Sequence, residues 1–301
     1  MTLIVIGGAT ATGKSTLALD VAERLGAEIV NADSMQLYKG MDIGTAKVPE
    51  SERRGIRHHM LDVLDVNQES SVADYQREAR AIIDELLANH IPVVVVGGTG
   101  LYIKALLDEL NFPDRDPEVR ARLFEESELL GASAMHQRLR ERDPEAAALI
   151  PEQNVRRVVR ALEVIELTGE PYAASLPRED ESYYPNAQQF AIRISREIVN
   201  QRIEERVEKM WAEGFVAEVE HLVTKGLRAG RTARAAIGYA QILGALDGQM
   251  SFEEAKLETL VSTRQYARRQ GTWFSREARI TWLEGETGEL LESVLASSGN
   301  S

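Results

Sequence analysis

Eight consecutive residues near the start restrict the folds open to this chain more than anything else in it. Gly8-Ala9-Thr10-Ala11-Thr12-Gly13-Lys14-Ser15 fits G-x-x-x-x-G-K-[ST] without a gap. An apolar run at 3–6 precedes it, and Leu17, Val21 and Leu25 follow at helical spacing up to Gly26, a helix stop. Strand, loop and helix in that order make an anion cradle. The glycines turn backbone N–H groups towards the ligand, and the helix N-terminus adds its positive dipole. Lys14 reaches a terminal phosphate oxygen, and the Ser15 hydroxyl is suited to Mg²⁺. The motif implies a phosphate or diphosphate ligand, of which a nucleotide such as ATP is one case.

A strand feeding such a loop belongs in an α/β fold, and the next hundred residues repeat the pattern. A second short strand is expected at 28–31. Ser71 with Asp74 three residues on resembles a capping box, ahead of Ala79, Ile82, Ile83, Leu86 and Leu87 on one helix face. Pro92 starts a strand at 93–96, and Gly97-Gly98-Thr99-Gly100 turns into another helix. From about Pro113 to Gln188 strand signals vanish. Asp116-Pro117 and Asp143-Pro144 read as helix starts, and 155–167 as a helix. Strand character returns at 190–194, followed by helices over 196–213, up to Gly226, and over about 253–273, with a disordered tail at 297–301. The expected architecture is a P-loop NTPase-like parallel sheet flanked by helices, carrying an all-helical insertion. Residues 1–112 and 189–301 form the catalytic core, and 113–188 the insertion.

There is no cysteine, which removes disulfides, thiolate metal sites and cysteine nucleophiles. No apolar run approaches a membrane span, and the N-terminus lacks a basic leader region, so a cytoplasmic protein is expected. The net charge of -13 on its own argues against a nucleic-acid partner. That average hides a segment, 261–282, with Arg264, Arg268, Arg269, Arg276 and Arg279 against Glu277 alone, a local +4. The following tail carries Glu284, Glu286, Glu289 and Glu292 with no basic residue, a local -4. RNA senses the field within a Debye length, about 8 Å at physiological salt, and not the sum.

The strand at 28–31 delivers Asp33-Ser34-Met35-Gln36 to the carboxyl edge of the sheet beside the phosphate loop, the edge where open α/β folds bind ligands. Asp33 there can ligate Mg²⁺ through water, hold a ribose, act as a general base, or simply order its own turn. The acidic residue that usually ends a second buried strand of an ATPase is missing, since 93–96 runs into Gly97-Gly98-Thr99; Asp62 and Asp65 are the possible substitutes. His58-His59 lack a third ligand at suitable spacing and read as structural.

The stretch Asp33-Ser34-Met35-Gln36-Leu37-Tyr38-Lys39-Gly40-Met41-Asp42-Ile43-Gly44-Thr45-Ala46-Lys47 is more specific than the loop. It resembles the signature of the bacterial tRNA dimethylallyltransferases, the tRNA isopentenyltransferase family. Further matches follow in the family's order: Ile56-Arg57-His58-His59-Met60-Leu61-Asp62, Ser71-Val72-Ala73-Asp74-Tyr75, Gly97-Gly98-Thr99-Gly100-Leu101-Tyr102, Asp116-Pro117-Glu118-Val119-Arg120, Arg160-Ala161-Leu162-Glu163-Val164, Ala236-Ile237-Gly238-Tyr239, and 263–274. They extend from Gly8 to Phe274. Ala9 stands where the family usually has Pro, and Ala240 where it generally has Lys or Arg, leaving Arg231 or Arg234 to supply that cation.

The resemblance implies alkyl transfer, from dimethylallyl diphosphate to the exocyclic amine of the adenosine just 3′ of a tRNA anticodon. It implies the tRNA anticodon stem-loop as partner; Mg²⁺ as cofactor follows from the phosphate loop, no membrane from the lack of a long apolar run, and a monomer is expected. Asp33 is then the expected base, and Thr99 the contact to the target nucleotide, with helix capping as its other reading. Arg206, one turn after Arg202, is expected to clamp the diphosphate; pairing with Glu205 or Glu208 in solvent is the alternative. The RNA-facing set is Asp33, Ser34, Met35, Gln36, Thr99, Arg120, Arg156, Arg157, Arg160, Arg268, Arg269 and Gln270. Competing readings are an isopentenyltransferase acting on free AMP or ATP, a P-loop small-molecule kinase, and a non-catalytic RNA-binding module switched by nucleotide. The helical insertion and the arginine-rich C-terminal segment favour tRNA, because a mononucleotide pocket needs neither.

Overall fold

The apolar run ahead of the glycine loop forms strand β1 (Leu3–Gly7), buried along its whole length, and the loop leads into α1 (Lys14–Leu25). The computed structural model describes residues 2–110, 112–113, 116–172, 182–284 and 287–298. In chain order come β2 (Glu28–Asn31), β3 (His58–His59), α2 (Val72–Ala88), β4 (Val93–Val96) and α3 (Gly100–Leu107). Then follow α4 (Pro117–Arg142), α5 (Pro144–Leu149), α6 (Val155–Thr168), β5 (Gln188–Ile192), α7 (Arg196–Ala212), α8 (Phe215–Thr224), α9 (Tyr239–Leu246), α10 (Phe252–Phe274), β6 (Ile280–Leu283) and α11 (Thr287–Ser298). Among the described residues no helix is long and apolar enough to cross a membrane.

Two units divide the chain, Met1–Leu107 with Tyr184–Ser301, and Asp108–Tyr183. The first is built on a six-stranded sheet in the order β3-β2-β4-β1-β5-β6, with every pairing parallel. Parallel neighbours need crossover connections, so helices cover both faces and the central strands read as unbroken apolar runs. Successive side chains point to opposite faces, so β1 feeds two cores. Leu3 and Val5 meet Ile83, Leu86, Ile103 and Leu106 of α2 and α3. Ile4 and Ile6 meet Leu17 and Val21 of α1 and Leu290 and Val294 of α11. A third cluster packs Phe215, Val219, Leu222, Tyr239 and Ile242 of α8 and α9 around Tyr38 and Met41, and so anchors the long loop that leaves β2. The carboxyl ends of β1, β2 and β4 lie side by side, with Ile6 and Asn31 both in register with Val96.

Two expectations at the C-terminal end are corrected. Strand β6 and helix α11 carry no strong sequence signal, and α11 includes Ser297 and Ser298 of the tail expected to be disordered; residues 299–301 lie outside the described residues. The helix persists because Leu290 and Val294 are buried against α1. The strand expected at 190–194 lies two residues earlier, over Gln188–Ile192.

Among its described residues the second unit is helical, with one isolated bridge between Asp108 and Ser182. The Asp-Pro pairs start helices for the expected reason. Asp116 accepts from the N–H groups of Glu118 and Val119 at 2.8 and 3.1 Å, and Asp143 from that of Ala146 at 2.9 Å. Leu123, Met135, Leu139, Val158, Val159 and Leu162 form its core, and α4 is kinked at Gly131.

Candidate functional site

The loop between β1 and α1 is wound as an anion cradle. Gly13 holds a φ of 94° at the N-cap of α1, a conformation that a side chain would strain. Lys14 Nζ donates to the Ala9 carbonyl at 3.2 Å, and the Thr12 hydroxyl to the same oxygen at 3.0 Å. Burial pushes the Lys14 ammonium down to about 8; the Asp33 carboxylate acts in the opposite direction, and the nearby Arg206 adds to the lowering. From α7, Arg206 Nη1 donates to Thr10 Oγ1 at 2.7 Å and Arg202 Nη1 to the Ala11 carbonyl at 3.4 Å. Burial lowers the Arg206 pKa, yet a guanidinium keeps its charge in proteins. The solvent pairing with Glu205 or Glu208 is not what the structure adopts: Arg206 sits on the loop, and Glu208 pairs with Lys256 at 2.6 Å.

Thr10, Gly13, Lys14 and Arg206 line a cavity of about 130 Å³ with Ser15, Asn31, Asp33 and Gln36. Among the described residues Asp33 is its one carboxylate; Asp62 binds Lys47 at 2.6 Å and Asp65 binds Lys39 at 3.0 Å, away from it. The Asp33 turn is braced on three sides. Asn31 Nδ2 donates to the Asp33 and Met60 carbonyls, both at 2.9 Å, while Asn31 Oδ1 accepts the Asp33 N–H at 3.0 Å. Asp33 Oδ1 accepts the Met35 N–H at 3.0 Å, so the turn-ordering role is real. Its Oδ2 accepts no hydrogen bond among the described residues. Thr99 Oγ1 accepts the Ser34 N–H at 3.1 Å, and only the Thr99 backbone carbonyl serves α3, so the hydroxyl does not cap the helix.

A second cavity, of about 340 Å³, shares Thr10, Asp33, Thr45, Ala46 and Arg206 with the first. Met35, Val207, Met210, Ala236 and Ile237 give it apolar walls, and Tyr239, Tyr266 and Arg269 polar edges. Burial, reinforced by the Asp33 charge, pushes the Tyr266 phenol up to about 12 and keeps it a donor. One wall is a loop held by a residue the sequence reading missed. Glu218 of α8 accepts the N–H groups of Asp42, Ile43 and Gly44 at 3.1, 2.7 and 3.2 Å, and the Tyr239 hydroxyl at 2.5 Å. No sequence signal marks this glutamate; one of two acids on an amphipathic helix, it looks like any solvated one.

The remaining expected residues fall into distinct places. Met35 and Ser34 line the larger cavity, and Gln36 Nε2 donates to the Thr45 carbonyl at 3.0 Å. Arg269 lies 5.8 Å from the centre of the Tyr266 ring, and Arg268 is exposed on α10. Gln270, expected to face RNA, is a correction. It is 5% exposed and both ends of its amide are engaged by backbone, because α10 turns this face onto the sheet edge. Trp273 and Phe274 pack edge to face, with Phe274 buried in the core. In the helical unit Arg156 and Arg157 are exposed on α6, and Arg120 lies 5.9 Å from the Phe124 ring. Arg160 instead donates to the fully buried Glu163 at 2.9 Å and to the Pro113 carbonyl at 2.7 Å. Of the cations able to replace the one absent at Ala240, Arg231 lies 3.7 Å from Glu69 and Arg234 donates to the Arg228 carbonyl.

His59 Nε2 lies 2.5 Å from Glu28 Oε2, which fits a structural pair, and no group of three or more metal-ligating side chains occurs among the described residues. The Ser15 hydroxyl and the Asp33 carboxylate line one cavity and are hard oxygen donors, a set suited to Mg²⁺ when a ligand's phosphate oxygens complete the coordination.

The profile of the IPP transferase family matches residues 36–277. A tRNA dimethylallyltransferase of Frankia casuarinae is 57% identical over 278 residues, covering 92% of this chain and 94% of that protein. One from Streptomyces avermitilis is 51% identical over 290 residues, covering 96% and 92%. Among solved structures, the full-length tRNA isopentenylpyrophosphate transferase of Bacillus halodurans superposes with a TM-score of 0.72 at 36% identity, covering 99% and 96%. A eukaryotic dimethylallyltransferase acting on tRNA gives 0.81 at 25% identity, covering 94% and 73%.

Proposed function

This chain belongs to the IPP transferase family, and from that premise we propose that it transfers a dimethylallyl group from dimethylallyl diphosphate to the exocyclic amine of the adenosine 3′ of a tRNA anticodon. One observation carries the reading: Asp33 lies on both cavities, so a single carboxylate faces the phosphate loop and the apolar chamber together. A diphosphate leaving group and an amine nucleophile need that juxtaposition.

The reaction breaks the C1–oxygen bond of the allylic diphosphate and forms a bond from C1 to the adenine nitrogen. Charge grows on the departing diphosphate. Lys14 and Arg206 line the cavity where it develops and, with backbone N–H groups of the loop, supply fixed positive charge there, which is electrostatic preorganisation. Ser15, with Asp33 on the same cavity, would hold Mg²⁺, which would supply further charge neutralisation there when bound. The adenine amine is a weak nucleophile because its lone pair is delocalised. Asp33 Oδ2 takes its proton as the carbon–nitrogen bond forms, and Asn31 with the Thr99-braced turn holds that carboxylate still. Met35, Val207, Met210 and Ile237 provide an apolar lining for the prenyl group and keep water from the allylic carbon. A base can enter only when extruded from its stack, which an anticodon loop permits at lower cost than a duplex.

The test is incubation with dimethylallyl diphosphate, Mg²⁺ and unmodified tRNA, with AMP as competing acceptor, followed by nucleoside mass spectrometry. Prenylated adenosine in the anticodon loop is expected. Transfer to AMP alone, or to neither acceptor, overturns the reading.

A further inference from the structure

We propose that Gln270 is a positioning residue that couples the phosphate loop to the turn carrying Asp33, with no contact to RNA. Its Oε1 accepts the Thr10 N–H at 2.9 Å, and its Nε2 donates to the Gly98 carbonyl at 2.8 Å. The amide is buried, so each bond replaces one that water no longer makes. Gly98 is shaped for this contact: a Cβ at that position would lie 2.2 Å from Gln270 Nε2.

Both partners lead onward. Thr10 is also gripped through its hydroxyl by Arg206, so the start of the phosphate loop is held from two helices, α7 and α10. On the other side, Gly98 is followed by Thr99, whose hydroxyl accepts the Ser34 N–H and braces the Asp33 turn. One unbroken chain of contacts therefore runs Arg206, Thr10, Gln270, Gly98-Thr99, Ser34-Asp33. Its two ends are the leaving-group clamp and the base. Gln270 is its central link and lines neither cavity. Transfer requires base and leaving group to keep their spacing about one bound substrate, and a misplacement near 1 Å costs on the order of 100-fold.

The inference rests on the transfer reaction proposed above, and its test separates the two. Wild type, Gln270→Met and Gly98→Ala are compared; the first variant keeps the bulk and loses both bonds, and the second displaces the amide with Gln270 intact. Expected is a fall in kcat of about 10- to 100-fold in both variants, with KM for tRNA changed by less than about twofold. Amide hydrogen exchange of the ligand-free proteins, which needs no activity, should quicken at both 10–15 and 33–35. A raised KM for tRNA with kcat unchanged would make Gln270 an RNA contact after all. Lower thermal stability with both kinetic constants unchanged would make it a structural pin only, and faster exchange confined to one of the two segments would break the coupling. If wild type itself does not prenylate tRNA, the proposed function fails, and the exchange data still judge the coupling. If Gln270→Met does not fold, Gly98→Ala decides.

Discussion

Asp33 divides two tasks between two oxygens. Oδ1 holds the Met35 amide and shapes the turn, which leaves Oδ2 as the proton acceptor. Asp33→Asn keeps an oxygen for the turn and removes the base, so kcat should fall about 10²- to 10⁴-fold, while affinity for inorganic diphosphate, measured by calorimetry, holds. Equal loss of both would make Asp33 a binding residue. Lys14 sets a pH limit. Burial lowers its pKa to about 8, with Arg206 acting in the same direction and Asp33 against it. The ammonium is therefore charged below that pH and neutral above it, so diphosphate affinity should weaken as pH rises through about 8. The diphosphate titrates too, so the comparison is with Lys14→Arg, which stays charged: the ratio of wild-type to variant affinity should drop across that range, and a flat ratio would exclude Lys14 as the titrating group. At this scale the sequence is informative where a residue's chemistry is local. The glycine loop, Asp33 and the Asp-Pro caps depend on neighbours within a few positions. Gln270 and Arg160 do not, because their partners lie 172 or 260 residues away in the first case, and in the second, beyond Glu163, across a 47-residue gap to Pro113.

The elements differ in how their placement is encoded. Strands β1 and β4 are unbroken apolar runs and α2 opens on the Ser71 cap, whose hydroxyl accepts the Asp74 N–H, so each is readable alone. β6 and α11 are stabilised by what they pack on, β5 and α1, which no local pattern discloses. The same holds for the loop 42–44, whose three N–H groups converge on the carboxylate of Glu218 in α8. Convergent backbone donors around a carboxylate form charge-assisted bonds. Glu218→Gln puts a donor where an acceptor is needed and should cost about 2 kcal/mol, seen as a Tm lower by roughly 4–8 °C. Because the loop continues into Thr45 and Ala46 of the shared cavity walls, KM for dimethylallyl diphosphate should rise as well. An unchanged KM would confine Glu218 to stability.

For the whole molecule, the net charge of -13 is a sum over unlike regions and says little about its substrate. The exposed arginines Arg156 and Arg157 on α6 and Arg268 on α10 act over a Debye length. Replacing Arg156 and Arg157 by Ala should weaken tRNA binding and reduce the slope of log affinity against log salt by about one for each phosphate no longer neutralised; an unchanged slope would remove them from the interface. Function at this scale has a single readout. Nucleoside analysis of tRNA from cells with and without this protein tests the transfer reaction most directly. Isopentenylated adenosine next to the anticodon should be present with the wild-type protein, absent without it, and not restored by Asp33→Asn. The same modified nucleoside at the same level in cells lacking the protein would contradict the account.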